Sequence, residues 1–148
     1  MPYATNEGTQ IHYKVEGSGP ALILQHGFFW NLDGWERWGY VDALKPHFQL
    51  VLVDARGHGG SDKPYDPAAY SLSNQVADIL AVLDALGVPS AHYWGFSMGG
   101  WIGFGMAAFA PERIKSLVLG GAHPYGRKLP ESSRPDGSDP ELFLETFF

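Results

Sequence analysis

The chain has 148 residues, 45% hydrophobic and 18% charged, with 19 glycines and 11 prolines, values that suit one globular domain with many tight connections. A formal net charge of -6 provides no basic stripe for phosphates, so neither nucleic acid nor an anionic membrane is an expected partner. The absence of cysteine excludes a disulfide framework, a thiolate nucleophile and the commoner structural zinc sites.

The first seven residues lack a basic region followed by an apolar run, and no segment approaches the ~18 apolar residues of a membrane span, so cytoplasmic residence is expected. Residues 9–15 alternate in character as an edge strand should, and Gly17-Ser18-Gly19-Pro20 breaks them. Residues 21–24 form a continuous apolar run, the pattern of a parallel strand covered on both faces, leading into Gln25-His26-Gly27. Residues 49–53 repeat that design before Asp54. Over 73–86 the apolar positions Val76, Ile79, Leu80, Leu83 and Leu86 recur at helical spacing, with Gly87 and Pro89 as the stop. Residues 91–94 predict a short buried strand, 98–110 a helix rich in small residues, and 116–119 a further buried strand ending at Gly120-Gly121-Ala122-His123. Alternating strands and helices predict an α/β fold, a mostly parallel sheet with flanking helices and active residues at the carboxyl strand ends. Residues 1–125 form the expected core; 126–148 form a tail, loop-like to Asp139 and then apolar through Leu142, Phe143, Leu144, Phe147 and Phe148.

The most specific local pattern is Gly95-Phe96-Ser97-Met98-Gly99, a G-x-S-x-G motif between a predicted strand and a predicted helix. A turn that tight strains the serine backbone, and the positions two before and two after it must be small. The plainer alternative is an ordinary serine at a strand-to-helix junction. Two further segments end predicted strands: His26-Gly27-Phe28-Phe29, and Asp54-Ala55-Arg56-Gly57-His58-Gly59-Gly60-Ser61.

Together, in their chain order of 26–29, 54–61 and 95–99, the three segments resemble the α/β-hydrolase family over residues 11–123. The resemblance implies Ser97 as the nucleophile and the backbone N–H groups of Met98 and Phe28 as the oxyanion hole, with the arginine and glycines of the 54–61 segment shaping a loop. It also implies a triad acid after a seventh or sixth strand and a triad histidine after an eighth. The predicted elements stop near the sixth strand, about half the usual family length, so a truncated hydrolase is expected, without the usual acid and histidine positions. A serine hydroxyl needs a base. Of the six histidines, His123 is the candidate, because it follows the strand expected beside the one carrying Ser97; Asp136, Asp139 or Glu141 could orient it. His58 sits on a more distant strand end, and His26 has a loop-shaping role in similar proteins. His12, His47 and His92 read as surface or strand residues.

No H-E-x-x-H or similar spacing occurs, so neither a metal nor a cofactor is expected. Phe28, Phe29, Trp30, Trp35 and Trp38 either wall an apolar substrate pocket or serve as packing. The expected function is hydrolysis of a small apolar carboxylic ester through an acyl-enzyme on Ser97. Serine in place of a carboxylate at that position argues against the dehalogenase and epoxide-hydrolase branches. The alternative is a catalytically silent half-hydrolase scaffold. Its apolar edge strand at 116–119 would seek a partner, either a second copy in a homo-oligomer such as a dimer or a complementing chain carrying the triad acid and histidine.

Overall fold

A computed structural model describes residues 2–123; the expected tail at 126–148 lies outside the described residues. Six strands, β1 (Tyr3–Asn6), β2 (Thr9–Glu16), β3 (Ala21–Gln25), β4 (Gln49–Val53), β5 (Ala91–Phe96) and β6 (Ile114–Gly120), form one sheet in the order β1-β2-β4-β3-β5-β6. The pairings β4 with β3, β3 with β5 and β5 with β6 are parallel, and those of β2 with β1 and β4 are antiparallel.

Helices cover both faces, which explains the uninterrupted apolar strands. On one face Ile23, Val51 and Tyr93 pack with Val76, Ile79 and Leu83 of α3 (Leu72–Ala85) and Ile102 and Met106 of α4 (Met98–Phe109). On the other, Leu22, Leu24, Leu50 and Leu52 pack with Trp35 of α1 (Asp33–Arg37) and Val41 of α2 (Tyr40–Leu44). A strand covered on both sides has no polar face, so alternation is lost in β3 and β4. Helix α3 begins where the Ser71 hydroxyl accepts the Asn74 N–H at 3.2 Å and ends at Gly87, whose φ of 64° suits a residue without Cβ.

Two strand readings are corrected. Residues 9–15 are not an edge strand: β1, a four-residue strand too short to show a pattern, pairs on one side of β2 and takes the edge. Nor is β6 buried. Leu117 and Leu119 pack against the α3/α4 core, but Val118 on the opposite face is 52% exposed, and β6 lies at the sheet edge among the described residues.

The order has one functional consequence. From β3 the chain leaves through α1 and α2 on one face, whereas from β5, the neighbouring parallel strand, it leaves through α4 on the other. Connections that part in this way open a crevice at the carboxyl ends of the two strands. Gly27 and Ser97 stand on its two sides.

Candidate active site

Ser97 has φ 53° and ψ -114°, a region that L-residues rarely adopt; the one other non-glycine with positive φ among the described residues is Glu7, in the β1–β2 turn. The conformation is locked from several directions. Ser97 N–H donates to Gly120 O at 2.8 Å, Trp101 N–H donates to Ser97 O at 3.1 Å to open α4, and the buried Tyr93 hydroxyl donates to Gly99 O at 2.6 Å. A Cβ on Gly95 would collide with the Gly99 carbonyl, and one on Gly99 with the Gln25 carbonyl. Both glycines are therefore required by close backbone approach. Met98 is the first residue of α4, so its N–H has no acceptor within the helix and sits at the positive end of the helix dipole.

The facing loop is held by His26, which is buried. Because the Ala55 N–H can only donate, His26 Nε2 accepts it (3.1 Å), and the ring proton sits on Nδ1, which donates to Gly27 O at 2.7 Å. Burial pushes the His26 pKa down to about 4, with the His58 ring acting the same way and the Gly27 bond and Asp54 opposing. Trp30 N–H donates to the same Gly27 oxygen at 3.1 Å. In a trans peptide C=O and N–H point in opposite directions, so this double anchor also aims the Phe28 N–H. Gly27 lies against Ser97: a Cβ there would stand 3.4 Å from Ser97 Cβ.

The 54–61 segment builds the floor of the loops. Buried Asp54 accepts from Leu32 N–H (2.8 Å), Gly60 N–H (2.9 Å) and His12 Nδ1 (2.7 Å), binding three segments to one carboxylate. Arg56 forms a buried pair with Asp78 of α3, at 2.6 Å from each carboxylate oxygen. The His58 ring lies between Arg56 O (3.1 Å) and Phe28 O. His12, read from sequence as a surface or strand residue, is a buried strand residue.

Ser97, Met98 and Phe28 are thus gathered at one crevice. His123 is not joined to them by a hydrogen bond. It does follow β6 beside β5, as expected, but its ring is exposed and tilted against Trp101, centroids 5.9 Å apart, and Ser97 Oγ makes no hydrogen bond among the described residues. Asp136, Asp139 and Glu141 lie outside the described residues. Among the described residues no group of three or more His, Asp or Glu side chains is placed to hold a metal ion.

A cavity of about 430 Å³ opens beside Ser97, walled by Trp30, Trp35, Trp38, Tyr40, Trp94 and Phe96. Of the five aromatics singled out from sequence, the three tryptophans line it, while Phe28 and Phe29 do not, Phe29 being 90% exposed. Trp94 and Phe96 escaped that reading, although the period-2 pattern of β5 carries the signal: alternate positions of a strand share a face, and Tyr93 belongs to the opposite core.

A family model described as the alpha/beta hydrolase fold matches residues 20–148. The chain belongs to that family. Among its relatives is a pimeloyl-[acyl-carrier protein] methyl ester esterase of Xanthomonas campestris, 38% identical over 135 residues, covering 91% of this chain and 49% of the esterase. Among solved structures of the family, the enol-lactonase from Burkholderia xenovorans LB400 superposes with a TM-score of 0.72 at 34% identity, over 78% of this chain and 45% of that one. The epoxide hydrolase VrEH1 from Vigna radiata reaches a TM-score of 0.77 at 27% identity, over 88% of this chain and 42% of its own. This chain spans less than half the length of the curated relatives that it matches.

Proposed function

We propose that this chain carries the nucleophile half of a serine hydrolase acting on small carboxylic esters. Support comes above all from Ser97, a serine held at φ 53° between β5 and the head of α4, opposite the Phe28 loop. A serine here, where a carboxylate would serve epoxide opening, favours acyl transfer over the reaction named for the Vigna enzyme. Backbone strain at this position is the feature of a nucleophile elbow. In the proposed reaction Ser97 Oγ attacks the ester carbonyl carbon and passes its proton to a base, while Met98 and Phe28 N–H groups stabilise the oxyanion. The C–O bond to the alcohol then breaks, the alcohol leaves with that proton, and water hydrolyses the acyl-serine to release the acid. His123 is the proposed base among the described residues; its ring lies with its centroid 5.9 Å from that of Trp101.

The experiment is turnover of p-nitrophenyl acetate by the purified chain and by Ser97→Ala. A loss of ~100-fold or more is expected of a nucleophile with its base. Equal rates would sink the reading for this chain acting alone.

One observation favours a second reading, a silent scaffold completed by another chain: Ser97 Oγ has no hydrogen-bonded base among the described residues. On this reading the purified chain is inactive, and activity appears only on mixing with a polypeptide that supplies the acid and histidine beside β6.

A further inference from the structure

We propose that the aromatic cavity beside Ser97 is a subsite for a planar, neutral group carrying a hydrogen-bond acceptor, so that the substrates are uncharged aromatic esters. The identity of the group as part of a substrate rests on the hydrolase reading; the binding preference does not.

The cavity joins the Ser97 turn directly. Two of its lining residues, Phe96 and Gly120, respectively precede Ser97 and accept its N–H at 2.8 Å. Its walls are flat and differently inclined. Trp30 and Phe96 are stacked, with centroids 5.3 Å apart and planes 11° from parallel, and Trp38 meets Trp30 at 4.1 Å and 60°. Trp94, also in the lining, meets Tyr40 at 79° and Trp35 at 62°. A planar ring in this space finds both ring faces and ring edges, the arrangements that aromatic quadrupoles favour, and it loses no torsional freedom on entering; a flexible alkyl chain gains only area and loses rotamers. Gly34 and Gly120 leave room in the wall, and a volume of about 430 Å³ suits a small molecule.

Charge is disfavoured by the same lining. It contains no Asp, Glu, Lys or Arg among the described residues, and His26 is held neutral by burial, so an entering carboxylate or ammonium would lose water without gaining a partner. A donor is available for an oxygen. Asn31 Oδ1 accepts the Asp33 N–H at 3.1 Å, leaving the Asn31 Nδ2 hydrogens in the cavity wall without a partner among the described residues.

The test is calorimetric titration of Ser97→Ala with 2-acetylnaphthalene, a planar neutral ketone that has no ester bond to cleave. Saturable binding is expected, at least tenfold tighter than for 2-naphthoate or 2-octanone and at least tenfold weaker after Trp30→Ala. Trp30 is 40% exposed, and unchanged thermal melting would show that the variant is folded; Trp38→Ala, at a ring 48% exposed, gives an independent second measurement. No saturable binding, equal binding of the ketone and the alkyl or anionic probes, or indifference to both tryptophan variants overturns the proposal. Occupation of the cavity by the chain's own apolar run at 141–148 would appear as absence of binding and overturns it too. Because the protein lacks Ser97 and the probe is not a substrate, this result is separate from the p-nitrophenyl acetate comparison. Either reading can fail while the other stands.

Discussion

The backbone of Ser97 sits at φ 53° for a reason that stability alone does not supply, since glycine would occupy that conformation with less strain. Ser97→Gly is therefore expected to raise the free energy of unfolding by about 1 kcal/mol over Ser97→Ala, with both variants inactive, a difference readable by chemical denaturation. Gly99→Ala is the opposite case. Its Cβ would meet main-chain atoms of Gln25 that cannot give way, so a loss of about 3 kcal/mol is expected from the same measurement. His26 sets a pH dependence whose sign follows from its lowered pKa of about 4. Between about 6.5, the ordinary histidine value, and about 4, the unfolded chain binds a proton that the folded chain refuses, so stability falls as pH falls through that window. The contribution is ~3 kcal/mol and is constant below it. Comparing unfolding free energies of the protein and of His26→Gln across pH 4 to 6.5 should show a shallower slope in the variant; equal slopes would remove His26 as the cause.

Between elements, the buried Arg56–Asp78 pair fastens the loop after β4 to α3, and Asp78 also accepts from Asn6 Nδ2 of β1 at 2.8 Å. Removing only the cation leaves a buried carboxylate without its charge partner. Arg56→Leu is expected to cost ~3–5 kcal/mol, and Arg56→Leu with Asp78→Leu much less than the sum of the single changes, which a double-mutant cycle in denaturant measures. Helix α3 was legible in the sequence because one face repeats at 3.6 residues and Gly87 and Pro89 mark its end, whereas its Ser71 cap came to light in the structure. Helix α4 was legible for a different reason, the run of small residues after Ser97. In the structure a Cβ on Gly103 would press on Leu119 and Tyr93, so these glycines let the helix lie close to β5 and β6. The fate of β2 was not legible, because a strand's neighbours depend on which distant segment pairs with it, and β1 has only four residues in which to show a pattern.

At the scale of the whole molecule, β6 has no strand on its outer side among the described residues and Val118 is exposed, which bears on assembly, for an apolar strand left at an edge is a template for another chain. Association through this edge is expected to appear as a mass that rises with concentration in sedimentation or size-exclusion measurements, and Val118→Lys should abolish it; a constant monomer mass at high concentration would refute the edge as an interface. Sequence by itself determined the alternation of strands and helices, because local periodicity is written in neighbouring residues, and the resemblance of its three ordered segments implied the family and the candidate positions Ser97, Met98 and Phe28. Only the tertiary structure decided that β3 and β5 lie side by side with their connections on opposite faces, which brings Gly27 against Ser97. It alone showed that His26 aims the Phe28 peptide, that His123 rests on Trp101, and that Trp94 and Phe96 join three distant tryptophans around one cavity. Those relations depend on contacts between residues far apart in the chain, and no local pattern encodes a contact whose two halves are set by the packing of the whole.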